Sequence, residues 1–196
     1  MAKNTQPVLK RARALGIDPG FMGIYKKSKR NPVRSQKKKS NYALQLNEKQ
    51  KVKFVYGLLE KQFRNTYDKA AKRPGSAGEN LLIMLEQRFD NVVYRMGFAA
   101  TRREARQLVN HGHFTLNGKK HDVPSATLNR GDVIEVKEAS RDHKKIKENI
   151  ETHPVGVVSW LNVDYDKMKA TIVEEPKREE LDLPIEEKLI VELYSK

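Results

Sequence analysis

Three arginines fall within six residues at the start of the stretch TRREARQLVNHGHFTLNGKK, which spans Thr101–Lys120: Arg102, Arg103 and Arg106. A guanidinium is a planar fork that pairs bidentately with phosphate oxygens and stays charged at any pH a protein meets. Gln107 and Asn110 add amides able to reach sugar or base edges. On a helical wheel at ~100° per residue, Ala105, Leu108 and Val109 fall together with Thr101. Arg103, Arg106, Gln107 and Asn110 fall opposite, and Arg102 flanks them. Thr101 and Glu104 form a capping box, Gly112 stops the helix, and Asn117-Gly118 signals a type I′ hairpin turn. His111, His113, Lys119 and Lys120 then lie near the helix end, which makes a compact basic ridge suited to nucleic acid. The plainer reading is an exposed helix that happens to be Arg-rich, because Arg is a good helix former and Glu104 can pair locally. Two histidines without cysteine or clustered carboxylates make a poor metal site, so neither metal nor cofactor is expected.

Charge points the same way. The 196 residues hold 39 Lys and Arg against 25 Asp and Glu, a formal net charge of +14. Such an excess repels itself and calls for a polyanionic partner, nucleic acid ahead of anionic membrane. The charge is uneven: +11 over residues 1–40, +8 over 41–150 and −5 over 151–196. With no cysteine, disulfides and thiolate metal sites are excluded. No apolar run approaches the ~20 residues that span a bilayer. The N-terminus lacks the apolar core of a secretory signal. PVLKRARALGIDPGF reads as broken by Pro and Gly, against the amphipathic helix of a transit peptide.

The elements that must position the ridge follow from periodicity. The arm holds Lys10, Arg11, Arg13, Lys26, Lys27, Lys29, Arg30, Arg34, Lys37, Lys38 and Lys39. Its stretch YKKSKRNPVRSQKKKSNY has almost no apolar period, so the arm is expected to be mobile alone and to order on a phosphate backbone. From a capping box at Asn47 and Gln50, Val52, Val55, Leu59, Phe63 and Tyr67 predict one long helix. Lys49, Lys53, Lys61 and Arg64 occupy its other face. RPGSAG breaks it, and Ser76 and Glu79 open a second helix over NLLIMLEQRFDNVVYRMG that ends at Gly97. Beyond the hairpin, DVIEVKE, VSWLNVD and KATIVEE read as strands, and SRDHKKIKENIE as a short basic helix. Pro184 opens a last helix over LPIEEKLIVELY, although LIVELY alone fits a strand equally well. The class is α+β: a helical unit and a body with about five short strands.

The ridge followed by GDVIEVKE resembles the RNA-binding domain named after small-subunit ribosomal protein S-four. That module also occurs in RNA-modifying enzymes and a tRNA synthetase class, so the flanks decide. LNEKQKVKFVYGLLEKQFRNTY, GENLLIMLEQRFDNVVYRMGF and EEKLIVELYSK are similar to the bacterial-type S-four ribosomal protein family, from about Asn41 to Lys196. The resemblance implies an arm over 1–44, a helical domain over 45–91 with 175–196, and an inserted S-four-type domain over 92–174. That domain would carry short helices on a small antiparallel sheet. It implies a cytoplasmic, ribosome-bound, non-enzymatic protein that binds small-subunit ribosomal RNA at a multi-helix junction in the 5′ domain early in assembly. It also implies a place at the channel through which messenger RNA enters, beside ribosomal proteins S-five and S-three, and an influence on decoding accuracy. Many members carry four zinc-binding cysteines near the N-terminus; this chain has none. Most also show a Pro-Gly-Gln-His-Gly stretch where this chain has NPVRSQKKKSNYALQLNEKQ.

Acidic surface avoids RNA phosphate, so Glu174, Glu175, Glu179 and Glu180 read as a protein-facing surface, with S-five the neighbour that the resemblance implies. An enzyme is disfavoured. RPGSAGEN lacks the Lys-Ser/Thr of a P-loop, no room remains for a synthase domain, and no small-molecule substrate is expected. DNA binding lacks the spacing of a helix-turn-helix. A free-standing RNA chaperone or translational repressor remains the alternative.

Overall fold

The computed structural model describes residues 6–26, 40–152, 158–181 and 183–195. The chain divides into two compact units, Met1–Leu81 with Leu183–Lys196, and Leu82–Asp182. The first division falls inside a helix, between Leu81 and Leu82, ahead of the boundary expected at 92.

The first unit is helical. α1 (Val8–Leu15) lies inside the segment expected to be an unstructured arm. Pro7 sits at its N-cap and Gly16 just past its end, so these residues delimit the helix instead of breaking it. Ala12, Leu15, Ile17 and Met22 are buried, and α1 packs against the helix Asn41–Val55 and the 3-10 turn Pro19–Met22. α2 (Asn41–Val55) starts ahead of the expected box at Asn47; its cap is Ser40, whose Oγ accepts from the Ala43 amide at 3.3 Å. Polar contacts hold this first stretch of α2. Gln45 donates to Glu192 at 2.9 Å, and Glu48 accepts from the Glu186 amide at 3.3 Å. The expected single helix is two, α2 and α3 (Glu60–Ala70). Gly57 takes a φ of 64°, its amide reaches Phe54 O, and the Leu58 amide reaches Lys53 O. That is a Schellman stop, and the apolar spacing runs straight through it. α8 (Glu187–Tyr194) begins after Pro184 and packs on α2, with Tyr194 stacked on Tyr67 at 4.4 Å between ring centroids.

α4 (Ala77–Glu86) carries the chain into the second unit, and α5 (Phe89–Arg95) follows after a break that the periodicity conceals. At the break Arg88 is extended and bridges Thr127, while the Phe89 and Asp90 amides donate to Ala126 O and Pro124 O. The loop before the third strand thus takes the amides that a continuous helix would have used itself. α6 (Arg102–Asn110) packs on α5. β1 (Phe114–Leu116), β2 (Lys119–Lys120), β3 (Val133–Val136), β4 (Leu161–Asp164) and β5 (Lys169–Ile172) form an antiparallel sheet in the order β2-β1-β3-β5-β4. α7 (Lys144–Thr152) connects β3 to β4. The register places Phe114 opposite Val136, Leu116 opposite Ile134, and Ile134 opposite Ala170. That face meets Phe89, Val92, Phe98, Val109, Ile146 and Trp160 in one core. Each such large side chain, fully buried, contributes about 1.5–3 kcal/mol.

Candidate nucleic-acid interface

α6 is capped as its sequence requires. The Glu104 amide donates to Thr101 Oγ1 at 3.2 Å, and Glu104 Oε2 accepts from the Ala100 amide at 2.9 Å. Glu104 Oε1 also accepts from Asn149 of α7 at 3.2 Å, so the start of the helix is tied to the body. Ala105, Leu108 and Val109 are buried, while Arg103, Gln107, Asn110 and His111 are exposed along one stripe.

Arg102 departs from expectation. It is 6% exposed, its Nε donates to Asn91 Oδ1 at 2.7 Å, and its guanidinium lies over the Tyr94 ring at 4.4 Å. It fastens α6 to α5 and lies off the exposed stripe. Its spacing from Ala105 and Val109 by three and seven residues carries that information, since those positions share a helix face. Arg106 is held from below as well, its Nε donating to Asp90 Oδ2 at 2.7 Å.

At the far end, Gly112 has a φ of 73°, and a Cβ there would come within 2.7 Å of Lys120 Cε. The Lys120 stem therefore crosses the C-terminal end of α6, where a cation meets the negative end of the helix dipole. Asn117 and Gly118 have φ of 50° and 77°, which is the expected I′ geometry. Asn117 also donates to Asp132 at 2.8 Å and accepts from the Val133 amide at 2.9 Å, pinning the hairpin tip. His113 is half-buried, its Nδ1 3.0 Å from Ser140 Oγ and its ring 4.8 Å from that of His143. Burial first, then the nearby His143 and His111, push its pKa below the usual histidine value. It is therefore neutral at neutral pH and fit to hydrogen-bond rather than to act as a fixed charge. Among the described residues no three of His, Cys, Asp and Glu are grouped to hold a metal ion.

The other basic residues expected to contact RNA belong to the first unit. Lys10 and Lys26 are exposed, Arg13 is half-buried, and Arg11 donates to Gln50 at 3.2 Å. Lys27, Lys29, Arg30, Arg34, Lys37, Lys38 and Lys39 lie outside the described residues. Lys49 and Lys53 both grip Glu60, at 2.6 and 2.7 Å, and Arg64 pairs with Asp68 at 3.5 Å. Burial would raise the Glu60 pKa, but the hydrogen bonds from Lys49 and Lys53 outweigh it and hold the carboxyl at about 2. These cations are committed locally. Of the acidic set, Glu174 pairs with Lys177 at 3.3 Å, Glu175 accepts from Gln87 at 3.5 Å, and Glu180 accepts from Ser159 at 2.7 Å. Glu179 is exposed in the 3-10 turn Arg178–Glu180.

Periodicity alone missed the polar layer under α6. Glu86, 0% exposed, takes a bidentate pair from Arg95 at 2.9 Å and a bond from Asn91 at 2.7 Å. Asp90 pairs with Arg88 and Arg106. Two acids four residues apart in the expected helix, Glu86 and Asp90, were the available signal.

A small antiparallel sheet edged by a basic hairpin and preceded by a capped, Arg-bearing helix has the make-up of a basic binding module of the RNA-recognition class. The model described as "Ribosomal protein S4/S9 N-terminal domain" matches residues 3–86, and "S4 domain" matches residues 87–134. A small ribosomal subunit protein uS4 of Agathobacter rectalis is 51% identical over 197 residues, covering 100% of both chains. That of Lachnoclostridium phytofermentans is 52% identical over 198 residues, again covering 100% of both. That of Clostridioides difficile is 59% identical over 161 residues, 82% of this chain and 78% of the relative. The chain belongs to the family of small ribosomal subunit protein uS4, a structural and non-enzymatic family.

Proposed function

We propose that this chain works in the cytoplasm as a structural constituent of the small ribosomal subunit and a primary binder of its ribosomal RNA. The contact is at a multi-helix junction of the 5′ domain, where early binding nucleates assembly. In the assembled subunit the protein lines the channel through which messenger RNA enters, beside ribosomal proteins S-five and S-three, and influences decoding accuracy. The observation that carries the RNA reading is the exposed stripe Arg103, Gln107, Asn110 and His111, leading into Lys119 and Lys120 on the hairpin. Guanidinium and ammonium groups there meet phosphate, and the amides meet sugar or base edges. Family membership and the net charge of +14 support the ribosomal setting.

Co-sedimentation tests this against a free-standing RNA binder. The protein is expected to travel with small subunits through a high-salt sucrose cushion, in stoichiometric amount. Recovery only in the free fraction, with RNA binding intact, would move the reading to a chaperone or repressor.

A further inference from the structure

A carboxylate is buried directly beneath the exposed stripe of α6. Asp90 is 2% exposed. Arg88 grips it with both ends of its fork, Nε to Oδ1 at 3.1 Å and Nη2 to Oδ2 at 2.9 Å. A bidentate partner of that kind already meets the demand of a buried carboxylate for a counter-charge. Arg106 nevertheless reaches down from α6 to the same Oδ2 at 2.7 Å, while 21% of its side chain stays at the surface. The Asp90 charge does not need this second arginine, so the contact matters mainly for what it does to Arg106. Holding Nε fixes the plane and direction of a long side chain that otherwise samples many rotamers. A group ordered before binding loses less entropy when it binds.

We infer that Asp90 is a positioning residue for RNA recognition: it sets the Arg106 guanidinium, from inside the fold, in the orientation that receives a phosphate. This rests on the reading of α6 as the RNA-facing helix. It predicts an effect opposite in sign to simple electrostatics. Removing a negative charge close to a polyanion should tighten binding by reducing repulsion. Removing a positioning carboxylate should weaken it.

The test is a double-mutant cycle on the full chain, with a transcript of the 5′ domain of bacterial small-subunit ribosomal RNA as probe. Trp160, buried in the same unit, reports that each variant is folded. Asp90→Asn is expected to weaken binding about three- to tenfold, and in an Arg106→Ala background to add less than about twofold. Asp90→Glu keeps the charge but moves the carboxylate outward by one methylene. It is expected to weaken binding too, and it serves where the Asn variant does not fold. Tighter binding by Asp90→Asn, wild-type affinity in Asp90→Glu, or equal losses in both backgrounds would overturn the inference. If Arg106→Ala and Arg103→Ala each leave affinity unchanged, the RNA-facing reading of α6 is what has failed.

Discussion

Neighbouring arginines of one helix have different tasks here. Arg102 is buried against Asn91 and Tyr94, whereas Arg103, the next residue round the helix, is exposed. Truncating a buried, hydrogen-bonded cation that also covers an aromatic ring costs about 2–3 kcal/mol, while an exposed surface change stays within about 0.5 kcal/mol. Arg102→Ala is therefore expected to lower the urea midpoint of the second unit, read by Trp160 fluorescence, with little direct effect on RNA contact. Arg103→Ala is expected to leave that midpoint in place and weaken RNA binding. Equal stability of the two variants would contradict the assignment. Much of the candidate site was legible from residue types, since the stripe of Arg103, Gln107 and Asn110 follows from spacing alone. The polar layer was not, because a charge inside an apolar run shows that something must compensate it but not which partner does. Asp90 and Glu86 find theirs only after α5, α6 and the intervening loop have packed.

Caps and turns set the elements more than periodicity does. The Asn117-Gly118 turn, the box at Thr101 and the stop at Gly112 were all readable, because each depends on residues a few positions apart. The split of the long helix at Gly57 was hidden by Val52, Val55, Leu59 and Phe63, whose spacing continues as though the turn were absent. α1 was hidden by the reverse error: Pro7 and Gly16 looked like breakers, although one begins the helix and the other ends it. Gly112 has the clearest consequence. Its φ of 73° is a conformation that an L side chain adopts at a cost of about 1–2 kcal/mol. A Cβ would also push Lys120 off the end of α6. Gly112→Ala should lower the stability of the second unit by that amount and displace the Lys120 side-chain resonances in NMR spectra. An unchanged midpoint with unmoved resonances would show that neither constraint operates.

Charge on the scale of the whole chain is segregated: +11 over residues 1–40 and −5 over 151–196. One polyanion does not serve both ends equally. The proposed division gives RNA to the basic surfaces and a protein neighbour to the acidic tail. Glu174 and Glu179, both exposed, are the positions to reverse. The pair Glu174→Lys and Glu179→Lys should bind naked junction RNA as well as the wild type or slightly better. It should slow incorporation into small subunits and raise miscoding, since rim charges govern the rate and register of association. Normal assembly with unmutated decoding fidelity would mean that the tail only offsets self-repulsion.

The proposed RNA grip is the outer face of α6 with the hairpin beside it. Its most direct test is the affinity for a 5′-domain transcript measured across a salt series, for the wild type and for Arg103→Ala/Arg106→Ala. Every duplex phosphate that a variant no longer neutralises should flatten the plot of log K against log salt by about 0.9. The double variant, with its fold verified by Trp160 fluorescence, is expected to bind more weakly and with a slope smaller by between one and two such increments. Wild-type affinity together with an unchanged slope would contradict the account.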